Sequence, residues 1–177
     1  MKTSIVTLLI TFCFYLSVYA QAPQDKATEL KEQALSSLKQ KDYIKARYLF
    51  KKAYEAFAVR ENYPQAIECG IQANALYVRE NFYKEGFELC RNMEQLIWTG
   101  EQKQNKVFYD LRFPISKERL QMYISLKNPA QAKNQLDKLE EIASLAKNDS
   151  LMEVLLKETP VSANSSANTR KRRTTIK

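Results

Sequence analysis

The chain has no histidine among its 177 residues and only three glycines and five prolines. Without histidine, Ser-His-Asp triads, histidine-ligated haem and most zinc sites are excluded. Three scattered glycines cannot build a phosphate-cradling loop, and no GxGxxG or GxxxxGK motif occurs. No cofactor and no metal are therefore expected. Strand-like alternation is scarce between Asp25 and Glu158, so a sheet is not expected either. A small enzyme working with carboxylates alone stays open as a class, although no arrangement of acids points to one.

A sustained apolar run occurs at the N-terminus, in MKTSIVTLLITFCFYLSVYA. Lys2 supplies a positive start, Ile5 to Val18 the apolar stretch, and Val18-Tyr19-Ala20 a cleavage site. The stretch is short for a bilayer span of about 20 residues. Residues 1–20 are thus expected to be a secretory signal, giving an exported (periplasmic or secreted) chain, with membrane anchoring by residues 5–18 as the alternative. The formal charge of +8 is unevenly spread. Residues 159–177 contain no acid but hold Arg170, Lys171, Arg172, Arg173 and Lys177, which leaves 23 bases against 20 acids elsewhere. The body is near neutral, so no nucleic-acid-binding face is expected. The tail is too poor in apolar groups to order itself. Three readings of it stay open: a solvated end, a contact with anionic lipid, or the processing site of a secreted helical-bundle signalling factor.

Between these ends, residues 21–158 form one expected helical domain. Leu30, Ala34, Leu35 and Leu38 mark a first helix ending near Lys41-Asp42. Ala46, Leu49, Phe50, Ala53 and Phe57 mark a second, with the i, i+3, i+4, i+7 spacing of a buried stripe. A third starts near Pro64 with Ile67, Ile71, Ala75 and Val78, since proline suits a first helical turn. A fourth carries Phe87, Cys90, Met93, Leu96 and Ile97 and is expected to stop at Thr99-Gly100. Residues 101–112 read equally as loop or helix start. A fifth holds Ile115, Leu120, Tyr123, Ile124 and Leu126, and a sixth after Asn128-Pro129 holds Ala132, Leu136, Leu139, Ile142 and Leu145. A weaker seventh covers 150–157.

Helices of this length joined by turns of two or three residues must pack as antiparallel neighbours. Offsets of 40 and 86 superpose Tyr43 on Tyr83 and Pro129, and Ala46 on Gly86 and Ala132. The same offsets superpose Phe50 on Cys90 and Leu136, and Ala53 on Met93 and Leu139. A small side chain followed four residues on by a large one lets a paired helix approach closely. This pattern resembles the second helix of a tetratricopeptide repeat (TPR), in about three degenerate repeats over residues 27–147. In the first helices Ala34 occupies the family's small position, but Asn74 and Leu120 fill its equivalents, and the early aromatic is missing. With the leader and aromatic-rich turns, the chain also resembles the exported sensor region of Bacteroidetes-type TPR sensor histidine kinases and related regulators. The resemblance implies an all-α solenoid of stacked hairpins without a catalytic centre, binding a protein or peptide in a signal-transduction system. Kinase activity is not carried over.

By that register the groove-lining candidates are Lys31, Leu35 and Lys39, then Ile71, Ala75 and Arg79, then Lys117, Gln121 and Ser125. The lysines and Arg79 suit an acidic segment or a terminal carboxylate. The asparagine of carboxylate-clamp repeats is absent, with Leu35, Ala75 and Gln121 in its place. Cys69 and Cys90 fall near one level of neighbouring helices, where a disulfide and two separate core thiols are both open. Finally, VRENY at 59–63 returns nineteen residues later as VRENF at 78–82. Both are expected to be helix punctuation, with the asparagine leaving the helix and the aromatic packing at the next start.

Overall fold

The computed structural model describes residues 26–146 and Glu153. The expected leader (1–20), basic tail (159–177) and all of the seventh helix but Glu153, which is helical, lie outside the described residues. The described chain is all-α: α1 (26–39), α2 (Tyr43–Val59), α3 (Tyr63–Arg79), α4 (Tyr83–Gln104), α5 (Tyr109–Ser125) and α6 (Pro129–Ala146). It divides into two compact units that meet at Lys106 and Val107. No described helix is long and apolar enough to cross a membrane.

In the first unit α2, α3 and α4 open at Tyr43, Tyr63 and Tyr83, a pitch of 20 residues. One turn design sets that pitch. Lys41, Glu61 and Asn81 each adopt left-handed backbone, with φ of 61°, 58° and 64°. Their amides return to Leu38, Ala58 and Val78, and the next amides, of Asp42, Asn62 and Phe82, return to Ser37, Phe57 and Tyr77. This is the paired bonding of a Schellman motif, which satisfies the last carbonyls of each helix. The residue after the left-handed one then caps the following helix. The Asp42 carboxylate accepts from the Lys45 amide at 3.1 Å and the Asn62 side chain from the Gln65 amide at 3.4 Å. The second unit repeats the device with Lys127 (φ 53°) and Asn128, whose side chain accepts from the Gln131 amide at 3.2 Å.

The echo is therefore out of register with the helices. Asn62 is an N-cap, whereas Asn81 is the left-handed residue, and Phe82 stands where Asn62 stands and makes no side-chain cap. The two segments are punctuation, but their asparagines do different work.

The core of the first unit forms around α3. The expected stripe of α2 is buried in full: Ala46, Leu49, Phe50, Ala53 and Phe57. In α3 the buried set is Tyr63, Ala66, Ile67, Cys69, Gly70, Ala73, Asn74 and Leu76. Of the expected Ile67–Ile71–Ala75–Val78 line only Ile67 is buried, while Ile71 and Val78 are half-buried and Ala75 is exposed, because α3 packs on α2 and α4 through a different side. A Cβ on Gly70 would meet Met93 Sδ at 2.4 Å and Tyr54 Cδ2 at 3.4 Å, so α3 touches both neighbours there. α4 does not stop at Gly100. It runs to Gln104, with left-handed Asn105 (φ 49°) as its cap. Gly100 lies inside the helix, and the Tyr63 ring lies against it.

In the second unit α5 and α6 form an antiparallel hairpin around Phe113, Leu120, Leu139 and Ala143, with Ala132, Leu136 and Ile142 packed on this core. The 101–112 ambiguity resolves into the end of α4, a short link and the start of α5. Pro114 lies inside α5, where it cannot donate to the carbonyl four residues back. The repeat-packing positions are mostly interior: Ala34, Ala46, Phe50, Ala53, Cys90, Leu139 and Gly86 are buried, while Tyr43, Tyr83, Ala132 and Leu136 are half-buried.

Candidate functional site

The expected groove residues fall in both units. Lys31, Leu35, Lys39, Ile71 and Arg79 belong to the first, and Lys117, Gln121 and Ser125 to the second, all three on α5. Lys117 and Gln121 are half-buried.

Within the first unit the structure sorts the candidates by what they touch. Lys31 reaches from α1 to α3, donating to Gln65 Oε1 at 2.9 Å and pairing with Glu68 at 2.7 Å. Its charge is matched, and its role is to join alternate helices. Leu35 is 39% exposed and lies off the buried line of α1, which is Ala27, Ala34 and Ser37. Lys39, the last residue of α1, is exposed, as are Ala75 and Arg79, whereas Ile71 is half-buried.

Arg79 ends α3, where a cation complements the partial negative charge of the helix terminus. Its guanidinium lies 3.8 Å from the centroid of the Tyr43 ring. Stacking occupies the face of the guanidinium and leaves its donor edge available. Lys39 ends α1 as Arg79 ends α3, so each cation stands at the C-terminal end of its helix. Neither forms an ion pair among the described residues. The face thus offers an exposed leucine, a half-buried isoleucine and two unmatched cations.

Cys69 and Cys90 are both buried, and no disulfide joins them. Burial pushes the Cys69 thiol up to about 11, partly opposed by the nearby Lys31 charge. Such a thiol stays protonated and unreactive near neutral pH. Each cysteine fills core space as a small apolar group.

A cluster around Arg47 was not expected from the sequence. Arg47 of α2 pairs with Glu80, and its guanidinium lies 4.8 Å from the Tyr77 centroid and 5.0 Å from that of Phe82. It fastens α2 to the turn between α3 and α4. No local signal marks Arg47, because its partners are thirty or more residues away. Lys103 likewise joins the end of α4 to Glu61 in the α2–α3 turn. These pairs act between helices, and nothing in their geometry requires a ligand. No family model matches the chain, and no curated protein or solved structure shows significant similarity to it.

Proposed function

We propose that the chain is an exported scaffold of stacked, TPR-like hairpins that binds a protein segment along the face shared by α1 and α3. In this reading it serves as the sensory portion of a signal-transduction system. Two features support it. Lys31 carries α1 across to α3, the adjacency of alternate helices that a stacked array needs. The α1–α3 face also leaves Lys39 and Arg79 unmatched beside exposed Leu35, which carries the argument for the ligand. An extended segment with an aliphatic side chain between two acids would match that face in shape and charge.

The test is a set of immobilised synthetic peptides with a Leu or Ile centre, carrying either Asp and Glu or their amides. Acidic members should bind the full chain, and Lys39→Glu with Arg79→Glu should weaken them at least tenfold, an estimate from two charge-assisted contacts. Equal retention of acidic and amide peptides, or an unaffected double variant, would sink the proposal.

A further inference from the structure

A second surface lies on α2 and does not depend on the reading above. Residues 44, 48, 52, 55 and 59 are spaced by four, four, three and four, so they form one stripe along the helix. Its members are Ile44, Tyr48, Lys52, Glu55 and Val59. Ile44 is 69% exposed, Tyr48 60% and Val59 86%, on a helix whose other face is fully buried. Lys41, Lys45, Lys51 and Lys52 are all exposed around them. Two acids are close: Asp42 spends its carboxylate on the Lys45 amide, and Glu55 pairs with Lys52 at 2.9 Å. Lys41, Lys45 and Lys51 have no partner carboxylate among the described residues. Lys52 Nζ also sits 5.9 Å from the Tyr48 ring centroid.

We infer that this face of α2 is a docking surface for an anionic lipid bilayer. Three occupants compete for a stripe in which exposed Ile44, Tyr48 and Val59 are divided by the Lys52–Glu55 pair and rimmed with lysine, and charge and area separate them. A second copy would set lysines against lysines across the contact. A protein partner needs about 800 Å² on each side. A stripe about 25 Å long and about 10 Å wide offers about 250 Å². A fluid interface has no such requirement. Isolated apolar side chains, Ile44 one turn from Tyr48 and Val59 about three turns further on, enter it without a matching pocket, and tyrosine suits the headgroup level. Lysine stems lie along the apolar surface while their ammonium groups meet lipid phosphates.

The test places a bimane label at residue 44 (Ile44→Cys) of the full chain in a Cys13→Ser background, leaving buried Cys69 and Cys90 in place. A second label at Gln72→Cys, exposed on α3, is the control. Vesicles are phosphatidylcholine alone or with about 30 mol % phosphatidylglycerol, enough to set up a negative surface potential. With anionic vesicles the residue-44 label should shift to the blue and be quenched by a lipid-borne nitroxide, while the residue-72 label stays water-exposed. Adding Lys45→Glu and Lys51→Glu should raise the lipid concentration needed by more than tenfold, at about fivefold for each lysine. Circular dichroism confirms that the variants fold. A residue-44 label that stays in water while the chain floats would overturn the inference, because the chain would then be held elsewhere. Equal quenching at residue 72, or indifference to the two glutamates, would also overturn it. So would burial of the label by polyglutamate but not by vesicles, an outcome that assigns the face to an acidic protein.

Discussion

A methyl group on residue 100 would stand 2.7, 2.9 and 3.0 Å from the Cζ, Cε2 and Cε1 atoms of Tyr63. Tyr63 is itself buried, so its ring has little room to swing away. Glycine inside a helix costs about 1 kcal/mol relative to alanine. Overpacking a well-filled site costs about 1–3 kcal/mol. The second effect should win at Gly100, so Gly100→Ala lowers the melting temperature despite its better helix propensity. At Gly70 the closest atom is the Met93 sulfur at 2.4 Å, the end of a flexible side chain that can move. Gly70→Ala is therefore expected to cost less than Gly100→Ala. Thermal melts followed by circular dichroism decide the matter, and a rise for Gly100→Ala would contradict the packing account.

At the scale of elements, the turns hold most of what is specific to this chain. Four connections use a left-handed residue followed by the start of the next helix, and none places glycine at the left-handed position. A side chain there costs about 1–2 kcal/mol that glycine would not. Lys127→Gly should accordingly stabilise the α5–α6 hairpin by about 1 kcal/mol, and its neighbour Asn128→Ala should destabilise it by about 1 kcal/mol through loss of the cap. Urea unfolding would show the two midpoints moving in opposite directions; movement in the same direction would refute the assignment of the two roles. Much of this level was legible in advance. The stripe of α2 follows from 3.6-residue periodicity alone, and the order and type of the first six helices follow with it. The end of α4 was not legible, because Gly100 looks like a terminator until Tyr63, on another helix, is known to lie against it. VRENY and VRENF pointed to a spacing of nineteen, but local likeness does not fix helix register. The tyrosines at 43, 63 and 83 carry the true pitch of 20. Arg47 was illegible for the same reason as Gly100: a cation between two rings exists only once distant turns are brought together.

For the whole molecule, four groups of the first unit, Lys52, Tyr54, Cys69 and Lys103, hold their protons more tightly than usual. Burial raises Tyr54 from 10.0 to about 12 and Cys69 from 9.0 to about 11. A hydrogen bond and the charge of Glu55 raise Lys52, and Glu61 does the same for Lys103. For Tyr54 and Cys69 the folded state holds its proton more tightly than the unfolded state. Above pH 9 unfolding therefore releases protons and is favoured as pH rises. For the two lysines the ion pair is fully present below 10.5 and is lost as the ammonium deprotonates above its raised value. Both are surface pairs and contribute little. All four effects have the same sign, so alkali should loosen the first unit between about pH 9 and about pH 12. Trp98, the single tryptophan, sits on α4 and reports on that unit. The urea midpoint read by its fluorescence should hold steady up to pH 9 and fall beyond it. Tyr54→Phe should remove part of the fall above pH 10, since phenylalanine keeps the packing and has no proton to lose. A midpoint that rises between pH 9 and 11, or a Tyr54→Phe profile that matches the parent throughout, would show that burial of these groups does not couple stability to pH.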